Sequence, residues 1–189
     1  MRKIVAINGS PRKDGCCAKV MEKVAETAKA KGFKAEIINV AALNIKGCKA
    51  CMACKKTGEC AQRDDMTALY QKLRDADMLL LATPIYFAAE TAQLKCFIDR
   101  LYAMIPIVDG EMRPDMGKKK VASVFIPCGA PNGAMAYGGV LTRLTSTLKS
   151  FGIDNISGAI VPGAKPDTVL GTDYVEGYLE AVESQLAEL

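Results

Sequence analysis

Five short apolar runs alternate with amphipathic segments along the chain, and that alternation restricts the fold more than any other feature. Lys3–Asn8 reads as a buried strand rich in Ile and Val. Residues 35–40, 77–82 and 121–126 read as the next three strands and Ile156–Val161 as the fifth. Helical patterns separate them. From 16 to about 31, Met21, Val24, Ala25 and Ala28 share one face, and Gly32 is a natural stop. Asp64 or Asp65 is placed to cap a helix reaching about Ala76. From about 90 to 104, Leu94, Phe97, Ile98 and Leu101 fall together. A loop over 128–133 leads to a helix ending near Phe151-Gly152, and 174–189 closes the chain. Strands alternating with helices pair in parallel and bury both faces. The expectation is an α/β, doubly wound five-stranded parallel sheet in the order 2-1-3-4-5, with helices on both faces. No repeat or linker divides residues 1–189, so they read as one domain.

Ligands in such sheets bind beyond the carboxyl ends of the strands, at the switch point between the first and third. Three loops reach that point. The first, Asn8-Gly9-Ser10-Pro11-Arg12-Lys13-Asp14-Gly15-Cys16-Cys17, leaves a strand and opens a helix, so its amides converge on an anion site. Ser10 offers a hydroxyl, Arg12 a charged fork, and Gly15 a close backbone approach. It is neither a Walker A loop, which needs G-x4-G-K-[ST], nor G-x-G-x-x-G. The alternative is an ordinary Gly/Pro turn. The second loop, Thr83-Pro84-Ile85-Tyr86-Phe87-Ala88, carries two aromatics where polar turn residues are expected. They either stack on a flat heterocycle or cap the core. The third, 127–133, is small and rich in backbone groups able to bond a ring edge.

A different chemistry is written between the second strand and the next helix. Cys48, Cys51, Cys54 and Cys60 follow the spacing C-x2-C-x2-C-x5-C within a loop over about 46–63, and Gly58 can turn the chain back. Two-residue gaps between thiolates suit an iron–sulfur cluster, whereas zinc sites more often separate two pairs by a longer loop. The chain has no histidine, the commonest zinc ligand. One self-contained cluster is the sharper reading. Reduced cysteines, adventitious zinc or a disulfide stay open beside it.

The remaining composition narrows the class. With 189 residues the chain can bury a real core, and half of it is hydrophobic. A net charge of +4 is too mild for a nucleic-acid footprint. Lys118-Lys119-Lys120 reads as the solvated lead-in to a strand. Neither a signal-peptide apolar region nor a membrane span is present in the pattern, so the expected location is cytoplasmic. Eight cysteines there point to metal or redox chemistry.

Taken together, Asn-Gly-Ser-Pro-Arg at 8–12, the cysteine run followed by Asp64-Asp65-Met66, Pro84-Ile85-Tyr86-Phe87, and Leu94-Lys95-Cys96-Phe97-Ile98-Asp99-Arg100 resemble the NADPH-dependent FMN reductase superfamily. Within it they are similar to the iron–sulfur flavoproteins. The likeness is good over residues 1 to about 105 and loose beyond. It implies a flavodoxin-like fold, an oxidoreductase activity, bound FMN, a [4Fe-4S] cluster on the four cysteines, and a homodimer or homotetramer that transfers electrons. Ser10, Arg12, Gly15, Cys16 and Cys17 would then hold the FMN phosphate. Pro84, Ile85, Tyr86 and Phe87 would flank the ring, with Cys128 and Gly129 near its edge. The donor would be NAD(P)H or a reduced ferredoxin, and the acceptor a quinone, oxygen, a peroxide or another protein. Two other readings accompany it: a plain NAD(P)H-dependent FMN or quinone reductase without a functional cluster, and a non-enzymatic electron carrier or redox sensor. Cys16-Cys17 depart from the hydroxyl pair usual in the family. A thiol is the weaker donor, and a helix N-terminus is expected to lower its pKa.

Overall fold

A computed structural model describes residues 1–189. Seven strands follow in chain order: β1 (Lys3–Asn8), β2 (Lys34–Asn39), β3 (Met78–Ala82), β4 (Ile107–Val108), β5 (Glu111–Met112), β6 (Val121–Pro127) and β7 (Ile156–Val161). The helices are α1 (Cys16–Ala30), α2 (Ala53–Thr57), α3 (Met66–Asp75), α4 (Ala92–Arg100), α5 (Gly133–Ala136), α6 (Gly138–Lys149) and α7 (Asp173–Glu188). Five strands form one parallel sheet in the order β2-β1-β3-β6-β7. With the β4–β5 hairpin set aside, this is the expected order 2-1-3-4-5.

The sheet's burial follows from its parallel pairing. Every residue of β3 and β6 is buried, while the edge strands β2 and β7 are mixed. Alternate residues serve opposite faces. Val5, Ile7, Leu79 and Leu81 pack beneath α3, α4 and α6 through Leu69, Leu73, Leu94, Phe97 and Leu144. Ile4, Ala6, Met78 and Leu80 pack beneath α1 and α7 through Val20, Met21, Val24, Tyr178 and Val182. The pairing sets Asn8 opposite Ala82, and Ala82 opposite Phe125, so β1 and β3 end level while β6 runs two residues further, to Pro127. No helix is long and apolar enough to cross a membrane.

Several boundaries differ from expectation for local reasons. Strand β2 stops at Asn39, whose side chain accepts the Ala41 N–H at 3.0 Å and starts a 3-10 turn over Val40–Ala42. Helix α4 begins late because Thr91 is its N-cap, its hydroxyl accepting the Leu94 N–H at 3.2 Å. Beyond Arg100 the chain tightens into a 3-10 turn, Leu101–Met104. The helix expected to run to 151 is broken at Tyr137, just before the flexible pair Gly138-Gly139. The β4–β5 hairpin turns through Asp109-Gly110, both at positive φ (53° and 82°), a pairing favoured in two-residue turns.

The lysine run leads into β6 with Lys118 and Lys119 exposed, as its charge suggested, but Lys120 is not solvated. Lys118 pairs with Asp77 at 2.7 Å. Lys120 is buried, and its ammonium donates to the carbonyls of Leu73 (3.1 Å), Arg74 (3.3 Å) and Ala76 (2.7 Å). It therefore caps the C-terminal end of α3, where carbonyls lack helical partners. Burial pushes its pKa down to about 8. Gly117 lets the chain come this close: a Cβ there would meet the Arg74 carbonyl at 2.8 Å. Lys120→Met should therefore lower unfolding free energy by about 2–4 kcal/mol, through three carbonyls left unpartnered. Urea denaturation measures it. A loss below about 0.5 kcal/mol, typical of a surface site, would return Lys120 to the solvent.

Candidate functional site

Two cavities gather most of the residues singled out in the sequence, and they share no residue. The first lies at the carboxyl ends of β1, β3 and β6. Asn8 Oδ1 accepts the Ser10 N–H at 2.9 Å, and Ser10 Oγ accepts the Arg12 N–H at 3.2 Å, which folds the first loop back on itself. Gly9 makes the tightest approach: a Cβ there would strike Leu94 Cβ at 2.8 Å. Its N–H donates to Ala82 and its carbonyl accepts the Thr91 hydroxyl at 2.7 Å, tying β1, β3 and α4 together. Gly15 then caps α1 without any side-chain bond, and no acidic residue occupies the first turn. The amides that open a 15-residue helix are left for an external acceptor.

The structure brings together most of the residues expected at this point. Ser10, Arg12, Gly15, Cys16 and Cys17 line the cavity from the first loop, Pro84, Ile85 and Tyr86 from the second, and Cys128 and Gly129 from the third. Phe87 does not join them. Tyr86 and Ala89 exchange two backbone hydrogen bonds (2.9 and 3.1 Å) around Phe87 and Ala88, both at positive φ, and this turn holds Phe87 fully in solvent. Pro127, the first residue of the third loop, also lines the cavity, and Ala164 and Pro166, which were not anticipated, complete it. The latter two follow β7, the neighbour of β6. Their loop is tied in by the Gly163 N–H on Ala130 and the Ala164 N–H on Cys128.

The thiols here behave differently from expectation. The helix N-terminus was expected to lower their pKa. Burial instead pushes both Cys16 and Cys17 up, outweighing the favourable backbone amides. Cys17 is 1 % exposed and belongs to the apolar cluster beneath α1. Burial also raises the Cys128 thiol. Cys128 is packed so closely against Gly133 that a Cβ on the glycine would lie 2.0 Å from its sulfur.

The second cavity belongs to the cysteine loop. Cys48, Cys51, Cys54 and Cys60 all line it, with Gln62, Arg100 and Tyr102. All eight cysteines are free thiols, and Cys96 and Cys128 lie outside this cavity. The loop coils through positive φ at Ala50, Met52 and Gly58. Between the last two runs α2, a turn of helix that the sequence pattern did not suggest; Gly58 ends it, its N–H bonded to Cys54 at 2.9 Å. No group of three His, Cys, Asp or Glu side chains is placed to hold a single metal ion.

Two cations fasten the loop to the body. Lys55, in α2, donates to the carbonyls of Tyr102 (2.8 Å) and Ile105 and lies 3.3 Å from the centre of the Tyr102 ring. At the base, Arg100 and Asp64 form a pair with side chains 0 % and 2 % exposed. Arg100 Nη1 donates to Asp64 Oδ2 (2.6 Å) and Lys46 O (2.9 Å), and Nη2 to Asp64 Oδ1 (3.1 Å) and Gln62 O (3.3 Å). Asp64 also accepts the N–H groups of Lys46 and Met66. Thus it is Asp64, not Asp65, that supplies the side-chain acceptor at the start of α3. Burial alone would raise the Asp64 carboxyl. The Arg100 hydrogen bond, the Lys46 and Met66 amides and the guanidinium charge overcome it and hold the carboxyl below its usual range.

The sheet order and the cavity at its switch point define a flavodoxin-like α/β fold. The family model described as NADPH-dependent FMN reductase matches residues 2–160, and the chain belongs to that family. Within it the chain stands with the iron–sulfur flavoproteins. An iron–sulfur flavoprotein of Archaeoglobus fulgidus is 33% identical over 169 residues, spanning 88% of this chain and 71% of that one. One from Methanosarcina thermophila is 40% identical over 98 residues, 52% of this chain and 51% of its own. Among solved structures, an NADH:FMN oxidoreductase in its apo form superposes with a TM-score of 0.70 at 23% identity, covering 100% of this chain and 90% of that one. At that identity the likeness is one of fold.

Asp64→Ala leaves a buried guanidinium without its counter-charge and should lower stability at pH 7 by about 3–5 kcal/mol. The sign with pH follows from the depressed carboxyl. Its contribution is complete above the ordinary value of 3.8 and is lost as pH falls through the lower folded-state value. Urea titrations at pH 7 and pH 3 should show the variant and the natural chain converging in acid. Equal gaps at both pH values would show that the pair does not fasten the loop.

Proposed function

We propose that this chain is an FMN- and [4Fe-4S]-containing oxidoreductase that passes electrons between a reduced donor and an acceptor. The observation that carries the reading is the pair of separate cavities: four free thiols line one, and an uncapped helix N-terminus opens into the other. When bound, FMN exchanges electrons in pairs or singly and the cluster one at a time, so a chain holding both joins two-electron to one-electron partners.

The residues fit these groups. Ser10 Oγ accepts only the Arg12 amide, so its own hydroxyl hydrogen is free for a phosphate oxygen. Arg12 and the first amides of α1 supply the positive end of the same site. Pro84, Ile85 and Tyr86 offer flat and apolar walls for a ring, and Gly129 a backbone edge. Cys48, Cys51, Cys54 and Cys60 would hold the cluster. Their gathering in one cavity and their two-residue gaps support a cluster held by thiolates. We further propose that the protein works in the cytoplasm as a homodimer or homotetramer. Its donor would be NAD(P)H or a reduced ferredoxin, and its acceptor a quinone, oxygen, a peroxide or another electron-transfer protein.

Anaerobic purification with flavin, iron and sulfide analysis tests the reading. FMN with about four irons per chain supports it. Flavin without iron leaves a plain FMN or quinone reductase, and iron without NAD(P)H turnover leaves a carrier. Because the cavities share no residue, Cys54→Ala should strip most of the iron and keep the flavin. Arg12→Ala should do the reverse, weakening FMN by tenfold or more, about 1.5 kcal/mol for a lost charged hydrogen bond. Simultaneous loss of both groups in either variant would merge the two sites.

A further inference from the structure

Buried polar groups are almost always partnered, and this chain follows the rule with two exceptions. Arg100 Nε and Gln62 Oε1 are the only buried side-chain nitrogen or oxygen atoms without a hydrogen-bond partner. Both residues line the cavity of the four cysteines. A guanidinium carries five N–H donors. The four on Nη1 and Nη2 are matched by four contacts with Asp64, Lys46 and Gln62. The fifth, on Nε, is unspent in a side chain that solvent does not reach. Lys55, the other cation fastening the loop, is already engaged by two carbonyls and an aromatic ring. Gln62 Oε1 is an acceptor and has nothing to offer an electron-rich sulfur.

We propose that the Arg100 Nε–H donates to a sulfur of the cluster held by Cys48, Cys51, Cys54 and Cys60. One guanidinium would then fasten the loop with four of its donors and tune the centre with the fifth. This rests on the two-cofactor reading above. Hydrogen bonds to the sulfurs are one of the protein's levers on such a centre. A donor there favours the more electron-rich reduced form and so raises its reduction potential.

The test uses the intact protein, reconstituted anaerobically with iron and sulfide, reduced, and carrying arginine labelled with 15N at Nε. Pulsed electron paramagnetic resonance should show a 15N hyperfine coupling to the reduced centre. Arg63, which borders the loop with a side chain 66 % exposed, supplies the control. The coupling should persist in Arg63→Lys and vanish in Arg100→Lys, which keeps the charge and lacks Nε. The midpoint potential of Arg100→Lys should also fall. Should Arg100→Lys fail to hold the cluster, persistence in both Arg63→Lys and Arg74→Lys leaves Arg100, the one arginine lining the cavity of the four cysteines, as the source. Iron-loaded protein without the coupling overturns the proposal alone; a water shared by Nε and Gln62 Oε1 gives that result. Coupling lost in Arg63→Lys or Arg74→Lys also overturns it. A chain that takes up no iron and sulfide overturns both this proposal and the reading beneath it.

Discussion

The Arg100–Asp64 pair determines whether the cysteine loop has a shape at all. Four stretches of chain meet on it: Lys46 and Gln62 at the two mouths of the loop, Met66 at the start of α3, and Arg100 at the end of α4. Few apolar residues hold the loop itself, and Cys48 and Cys51 are exposed. Its geometry comes from polar contacts at its base and from Lys55 at its crest. Removing charge pairs from water is costly, and such a pair stabilises only when every remaining donor and acceptor is met. Here the carboxylate is fully engaged and the guanidinium is one bond short. The residue with the unmet bond lines the same cavity as the four thiols.

The sheet was legible because its signals are local. β1 carries an unbroken apolar run bounded by polar residues, and the limits of β1 and β7 agree with the pattern to the residue. Ser10, Tyr86 and Cys128 could be assigned to one place because a doubly wound sheet brings its loops to a switch point whatever their sequences. What escaped depends on partners far along the chain. Arg100 and Asp64 are 36 residues apart, and neither has a local reason to be buried. Lys120 looks like any charged residue before a strand until the open end of α3 is set beside it. Helix α2 is too short to show a period. The hairpin at Asp109-Gly110 did carry a local signal, the Asp-Gly pair, within strands too short to read.

The thiols illustrate how packing overrides position. Cys16 and Cys17 open a helix, where a dipole stabilises negative charge. Yet removing a thiolate from water costs more than the first turn returns, and the thiols are driven toward the neutral form. A neutral thiol beside a bound phosphate is electrostatically compatible, whereas a thiolate would repel it.

The contact between Cys128 and Gly133 has a consequence for the history of the chain. A Cβ at 133 would sit 2.0 Å from the sulfur, so any larger residue there obliges the Cys128 side chain to leave its present rotamer. That rotamer gives the thiol its contacts with the carbonyls of Ala130 (3.7 Å) and Val161 (3.6 Å). The glycine thus decides which way the sulfur faces, and residues 128 and 133 are expected to vary together among descendants of this chain.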